Sequence, residues 1–264
     1  MSQKIFIVDA FTDRPFSGNP AGVCVMTKAA DESWMRLVAR EVNLAETAFL
    51  YPVEVGYHLR WFTPKAEIPL CGHATLASAS ILWGEGLQPA GTILRFQSMS
   101  GQLTAKQLED GWIELDFPVI ANNPASSVKS VLQALGVSEG IVVETYRNFL
   151  VELSSEEGVR TLSPDMGAVS RLNCQGVIVT AKANPGKYDF VSRYFAPAVG
   201  INEDPVTGSA HCALTPYWAA KLGKTTMLAY QASERGGEMR VTLKGDRVLL
   251  AGQGVKMFNS ELVV

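Results

Sequence analysis

The first apolar run, residues 4–10, is β-branched and aromatic and predicts a strand. A turn-rich stretch over 12–20 separates it from a second strand over 21–26. The apolar period then becomes helical: Trp34, Leu37, Val38 and Val42 follow Asp31, which suits an N-cap, and Asn43 suits the helix exit. Glu46 stands at the mouth of a strand over 47–51, for which residues 57–63 are the natural partner. Pro64 and Pro69 exclude regular structure between them. Residues 72–83 are apolar or small all round a helix, the pattern of a buried one. A hairpin over 93–97 and 103–108 and a strand over 112–117 follow.

The composition of residues 122–127, two asparagines, a proline and two serines among them, predicts a linker. Beyond it the scheme repeats. A short helix over 128–135 ends at Gly136, and strands follow at 141–145 and 149–153. A polar helix-and-turn region reaches about residue 170, ahead of strands at 176–181 and 188–195. A second apolar helix over 208–222 ends at Gly223, and the tail is strand-rich, with a hairpin turn at Lys244-Gly245-Asp246.

The repetition is also written residue by residue. Arg60-Trp61-Phe62-Thr63-Pro64 leads into Glu67-Ile68-Pro69-Leu70-Cys71-Gly72-His73-Ala74, and Arg193-Tyr194-Phe195-Ala196-Pro197 leads into Glu203-Asp204-Pro205-Val206-Thr207-Gly208-Ser209-Ala210. Both read Arg-aromatic-Phe-x-Pro, a spacer, then Glu-x-Pro-x-x-Gly-x-Ala-x-x-Ala. Two copies are too few for a solenoid. The expected architecture is α+β, with two pseudo-symmetric halves, each a curved, largely antiparallel, barrel-like sheet around a central buried helix. Residues 1–121 form the half with Glu46 and the Cys71-Gly72-His73 helix start. Residues 126–264 form the half with the Gly208 helix start, the last few residues being expected to return to the N-terminal half.

A length of 264 residues, 47% hydrophobic, accommodates two such halves with real cores. A net charge of −3 and the lack of basic runs argue against nucleic acid or a membrane surface as partner. Cys24, Cys71, Cys174 and Cys212 show neither paired nor zinc spacing, and the three histidines are scattered, so neither metal nor cofactor is implied. The N-terminus is charged too early for a secretory signal, and reduced thiols in the cytoplasm are the expectation.

Each repeated glycine opens a helix, where free N–H groups and the helix dipole make an anion site without a charged side chain. Two such sites, at Gly72 and Gly208, suit a small carboxylate-bearing substrate. His73 and Ser209 hold equivalent slots at these starts, and Asp204 puts a charge where the first copy has Ile68. His58, in a strand, and His211, inside the helix, read as structural. A serine hydrolase at Ser209 lacks the G-x-S-x-G elbow. A two-thiol racemase needs a cysteine in each half, but Cys71 aligns with Thr207. A single carboxylate that removes a proton and returns it elsewhere is the third reading; a non-catalytic binder or scaffold stands outside all three.

Asn43-Leu44-Ala45-Glu46-Thr47-Ala48-Phe49, Pro69-Leu70-Cys71-Gly72-His73-Ala74-Thr75 and Asp204-Pro205-Val206-Thr207-Gly208-Ser209-Ala210 together resemble the PhzF-like phenazine-biosynthesis isomerase family. The resemblance runs from Phe6 to the C-terminal strands. It implies the diaminopimelate epimerase-like fold, a homodimer, and a cofactor-independent isomerase. Glu46 would shuttle the proton, while His73, Asp204 and Ser209 position the substrate. Where the family often has serine before the glutamate, this chain has Ala45.

Overall fold

The computed structural model describes residues 3–263. The chain forms two compact units: unit 1, Met1–Phe117 with Leu250–Val264, and unit 2, Pro118–Leu249. Unit 1 begins with β1 (Gln3–Ala10), β2 (Asn19–Val25), α1 (Glu32–Val42), β3 (Glu46–Pro52), β4 (Tyr57–Phe62) and the two-residue β5 (Glu67–Ile68). It continues with α2 (Gly72–Gly84), β6 (Leu94–Ser98), β7 (Gly101–Gln107) and β8 (Ile113–Pro118). Unit 2 carries β9 (Asn122–Pro124), α3 (Val128–Leu135), β10 (Ile141–Thr145), β11 (Asn148–Glu152), α4 (Glu156–Thr161) and α5 (Met166–Ser170). Then come β12 (Gly176–Lys182), β13 (Phe190–Phe195), α6 (Gly208–Leu222), β14 (Thr226–Gln231) and β15 (Gly237–Lys244). The chain crosses back in β16 (Arg247–Gly252), and β17 (Gly254–Leu262) pairs antiparallel along the whole of β1.

The two units share one pairing scheme. From β1 through β2, β3, β4 and β6 to β7, the pairs run antiparallel, parallel, antiparallel, parallel, antiparallel. From β10 through β11, β12, β13 and β14 to β15, the same alternation recurs. Each parallel pair needs a crossover, and α2 and α6 are the crossovers from β4 to β6 and from β13 to β14. That placement explains their composition. α2 lies against β1, β2 and β3 and is buried along nearly its whole length, from His73 to Trp83. Burying each of Leu76, Ile81 and Leu82 is worth about 1.5–3 kcal/mol. The fold is therefore α+β and mixed: antiparallel pairs predominate, with two parallel joints in each unit.

Three local readings differ in detail, the first being that residues 67–68, between Pro64 and Pro69, pair with β4 as β5 rather than staying irregular. Residues 122–124 form β9 on β10 rather than free linker, because the short strand completes an edge that the composition does not advertise. Asp31 does occupy the N-cap of α1, with extended backbone, yet its side chain makes no capping bond. Asn43 ends α1 in the left-handed conformation, at φ 52°, as its residue type favours. α6 also contains Pro216, which removes the N–H due to Cys212 O. Ile120 N–H supplies that bond instead, at 3.1 Å, and Asn122 Nδ2 donates to the next carbonyl, Ala213 O, at 3.0 Å. Among the described residues no helix is long and apolar enough to cross a membrane.

Candidate active site

Unit 1 gathers its chemistry where β3 begins and α2 starts. Glu46 is the first residue of β3 and is only 8% exposed. Its Oε2 lies 3.2 Å from Nε2 of His73, the second residue of α2. Cys71, the N-cap of α2, places Sγ 3.5 Å from Nδ1 and 3.9 Å from Nε2 of the same ring. A third element closes the group. Gly18 turns the chain into β2 with φ 68°, and a Cβ there would lie 2.2 Å from Ala10 O, so only glycine fits. The turn delivers Asn19, fully buried, with Nδ2 3.3 Å from His73 Nδ1.

The electrostatics follow from burial. Burial pushes the Cys71 thiol up, so it is neutral at ordinary pH. Burial alone would lower His73, but its Cys71 and Glu46 neighbours outweigh that and hold the imidazole well above its ordinary value. With Cys71 neutral, the charge that His73 answers is the Glu46 carboxylate. An imidazolium donates Nε2–H to Oε2 and Nδ1–H toward the Asn19 amide, whose oxygen then faces the ring. The rotamer of that amide follows the protonation state.

Unit 2 builds its helix start differently. Thr207 is the N-cap of α6, and Asp204 Oδ2 accepts its hydroxyl at 2.5 Å. Gln231, the buried end of β14, ties the segment together. Its Oε1 accepts Thr207 N–H at 2.8 Å, and its Nε2 donates to Asp204 O at 2.7 Å and Thr207 Oγ1 at 3.2 Å. Gly208 is buried and Ser209 exposed. Neither N-cap residue, Cys71 of α2 or Thr207 of α6, makes a standard side-chain capping bond. Both starts thus keep the anion-binding groups that a carboxylate would use.

The repeated sequence has a structural job. Arg60 holds Glu67 through Nε and Nη2, both at 2.7 Å, and Arg193 holds Glu203 at 2.7 and 2.8 Å. Each guanidinium also lies over the phenylalanine two residues on, 5.0 Å from the Phe62 centroid and 4.7 Å from that of Phe195. A bidentate staple therefore fixes the segment ahead of each helix start. Equivalent residues of each helix also bond back to its N-cap carbonyl, Thr75 Oγ1 to Cys71 O at 2.5 Å and His211 Nδ1 to Thr207 O at 2.8 Å.

Strand register shows where the repeat breaks. Thr47 pairs with Phe62, and Val177 pairs with Phe195. The counterpart of Glu46 is therefore Gly176, where a Cβ would meet the Tyr194 ring at 2.7 Å. The counterpart of Cys71 is Thr207, whose hydroxyl is engaged by Asp204 and Gln231. The buried carboxylate, imidazole and thiol belong to one unit. His58 stacks on Tyr51 with ring centroids 5.0 Å apart, and His211 is buried between its helix carbonyl and Phe190; both are structural in position. Asn19 and Gln231 were not singled out by sequence. Gly18-Asn19-Pro20 marks a turn without announcing a ligand, and nothing local distinguishes Gln231.

The phenazine biosynthesis-like (PhzC-PhzF) family model matches residues 8–260. A Halalkalibacterium halodurans protein described as an uncharacterized isomerase is 48% identical, over 100% of both chains. The crystal structure of a phenazine biosynthesis PhzF-family protein from Enterococcus faecalis superposes with a TM-score of 0.95 at 42% identity, covering all of both chains. A hydroxyproline epimerase from Agrobacterium vitis shares the fold alone, with TM-score 0.65 at 12% identity over 99% of this chain and 92% of that one.

Proposed function

Because the chain belongs to the phenazine biosynthesis-like (PhzC-PhzF) family and is an isomerase of that type, we propose that it moves a proton within a small carboxylate-bearing substrate, with Glu46 as the general acid/base. The observation that carries this reading is the buried Glu46 carboxylate, anchored at 3.2 Å by His73 Nε2 at a helix start. One oxygen, Oε2, stays on the imidazole, and Oε1 takes the substrate proton and returns it to a second position. A base held at one end has a short, defined reach, which suits transfer within one molecule. Gly72 and Gly208, substrate-binding by the family resemblance, each open a helix whose N–H groups suit an anion. His73, Asp204 and Ser209 orient the substrate, roles carried over from the family resemblance. In the same reading the enzyme is a cytoplasmic homodimer that works without a cofactor.

The asymmetry of the repeat favours a single base over a pair. Unit 2 has Gly176 and Thr207 where unit 1 has Glu46 and Cys71, so a two-thiol racemase has no second acid at the equivalent place. The test is deuterium uptake from solvent into a panel of small carboxylates, followed by mass spectrometry. Label should enter a compound with wild type and with Cys71→Ala but not with Glu46→Gln. Equal uptake by wild type and Glu46→Gln would remove Glu46 from the chemistry. Uptake lost in Cys71→Ala but kept in Glu46→Gln would restore the thiol reading, and no uptake across a broad panel would support a binder.

A further inference from the structure

The geometry points to a soft-metal site at the start of α2, in which Cys71 Sγ, His73 Nε2 and the Glu46 carboxylate hold one Zn²⁺ or Cd²⁺ ion and so stop proton transfer. The three donor atoms all lie within 4.8 Å of one another, and all three residues are buried. Zinc bonds of about 2.3 Å to sulfur and 2.0–2.2 Å to nitrogen or oxygen imply tetrahedral edges of about 3.3–3.6 Å. The Glu46–His73 edge is 3.2 Å and the Cys71–His73 edge is 3.9 Å. Glu46 already stands on the Nε2 side, whereas Sγ lies nearer Nδ1, at 3.5 Å, so a change of the Cys71 rotamer carries the sulfur round to complete the site.

The surroundings match what such an ion needs. Asn19 already places its amide on the other ring nitrogen, Nδ2 at 3.3 Å, and a flip of that amide lets Oδ1 accept Nδ1–H when Nε2 is bound to metal, the usual second partner of a ligating histidine. A thiolate and a carboxylate together neutralise a divalent charge among these buried side chains. Three protein ligands leave a fourth position for water or a substrate carboxylate. The linear sequence hides this cluster, because Glu46 lies far along the chain from the Cys71-Gly72-His73 stretch. The binding stands on this geometry; the inhibition rests on the reading of Glu46 as the base.

Titration of the full-length protein with Cd²⁺, followed by the ultraviolet thiolate-to-cadmium charge-transfer band, tests the site. One equivalent should bind, Zn²⁺ should displace it, and Cys71→Ser should abolish the band while Cys174→Ser keeps it. Asn19→Ala, which removes the second partner of the imidazole, should weaken binding at least about tenfold. Circular dichroism checks that each variant is folded. No band with a folded wild-type protein, or a band that survives Cys71→Ser, overturns the site. Stoichiometric Cd²⁺ should also suppress deuterium uptake into substrate. Tight binding with undiminished uptake would overturn the inhibition and, with it, Glu46 as the base. Absent binding with uptake still dependent on Glu46 would overturn the site alone.

Discussion

Glu46 heads a strand whose next four residues are buried, so a carboxylate at this place has lost most of its water and depends on His73 for compensation. On the proposed mechanism, Glu46→Gln keeps the shape and removes the proton acceptor. Deuterium uptake should fall by about 10²–10⁴-fold, the usual contribution of a positioned acid/base. The partner's protonation gives an independent readout. His73 should hold its proton well above the ordinary histidine range in an NMR titration, and Glu46→Gln should bring its pKa down. A folded pKa raised above the unfolded one means that the pair stabilises the protein below about pH 6.5 and that this contribution is lost as pH rises through the folded value. A His73 that titrates below the ordinary value in wild type would contradict the ion pair.

At the scale of elements, the repeated arginine and glutamate matter more to position than to chemistry. Arg193 spends one nitrogen on carbonyls of Val159, Arg160 and Leu162 and two on Glu203, so it joins α4, β13 and the approach to α6. Arg193→Lys keeps the charge and loses the fork. It should destabilise unit 2 by about 1.5–3 kcal/mol in urea unfolding, the range for hydrogen bonds to charged groups. A change under about 0.5 kcal/mol would mean that the staple is incidental. The pattern was legible as a repeat, and its spacing predicted two equivalent helix starts. Its purpose was not legible, since an Arg and a Glu seven or ten residues apart meet only after a strand and a proline turn bring them together.

For the molecule as a whole, two consequences follow from how each unit is completed. β17 belongs to unit 1 and covers the outer edge of β1 along eight residue pairs, from Gln3 with Leu262 to Ala10 with Gly254. Ending the chain at Leu249 should therefore unfold unit 1 preferentially. Hydrogen exchange should show protection lost in β1–β3 and kept in β10–β13; protection kept in β1 would argue against this. The second consequence concerns acid. His211 is wholly buried, and burial lowers its pKa to about 4 despite its bond to Thr207 O. A depressed histidine leaves stability complete above about pH 6.5 and removes about 3 kcal/mol as pH falls to 4, because the unfolded chain takes a proton that the folded one refuses. His211→Gln should flatten the pH dependence of the urea midpoint across that window, and an unchanged slope would remove His211 as its source.

By itself, the sequence determined the element types, the two buried helices, the internal repeat and the family, because these rest on period, turn chemistry and local motif. Apolar residues on every side of a helix call for cover all round, and a helix start carries N–H groups without an intrahelical partner. Tertiary structure decided the rest. The family resemblance names Glu46, but its physical difference from the other glutamates arises only when the parallel pairing of β2 and β3 and the crossover through α2 bring it to His73, Cys71 and Asn19. Gly176 shows that the second unit lacks that carboxylate only once the register is known. Burial and proximity are properties of the closed fold, and residues remote in sequence acquire them together.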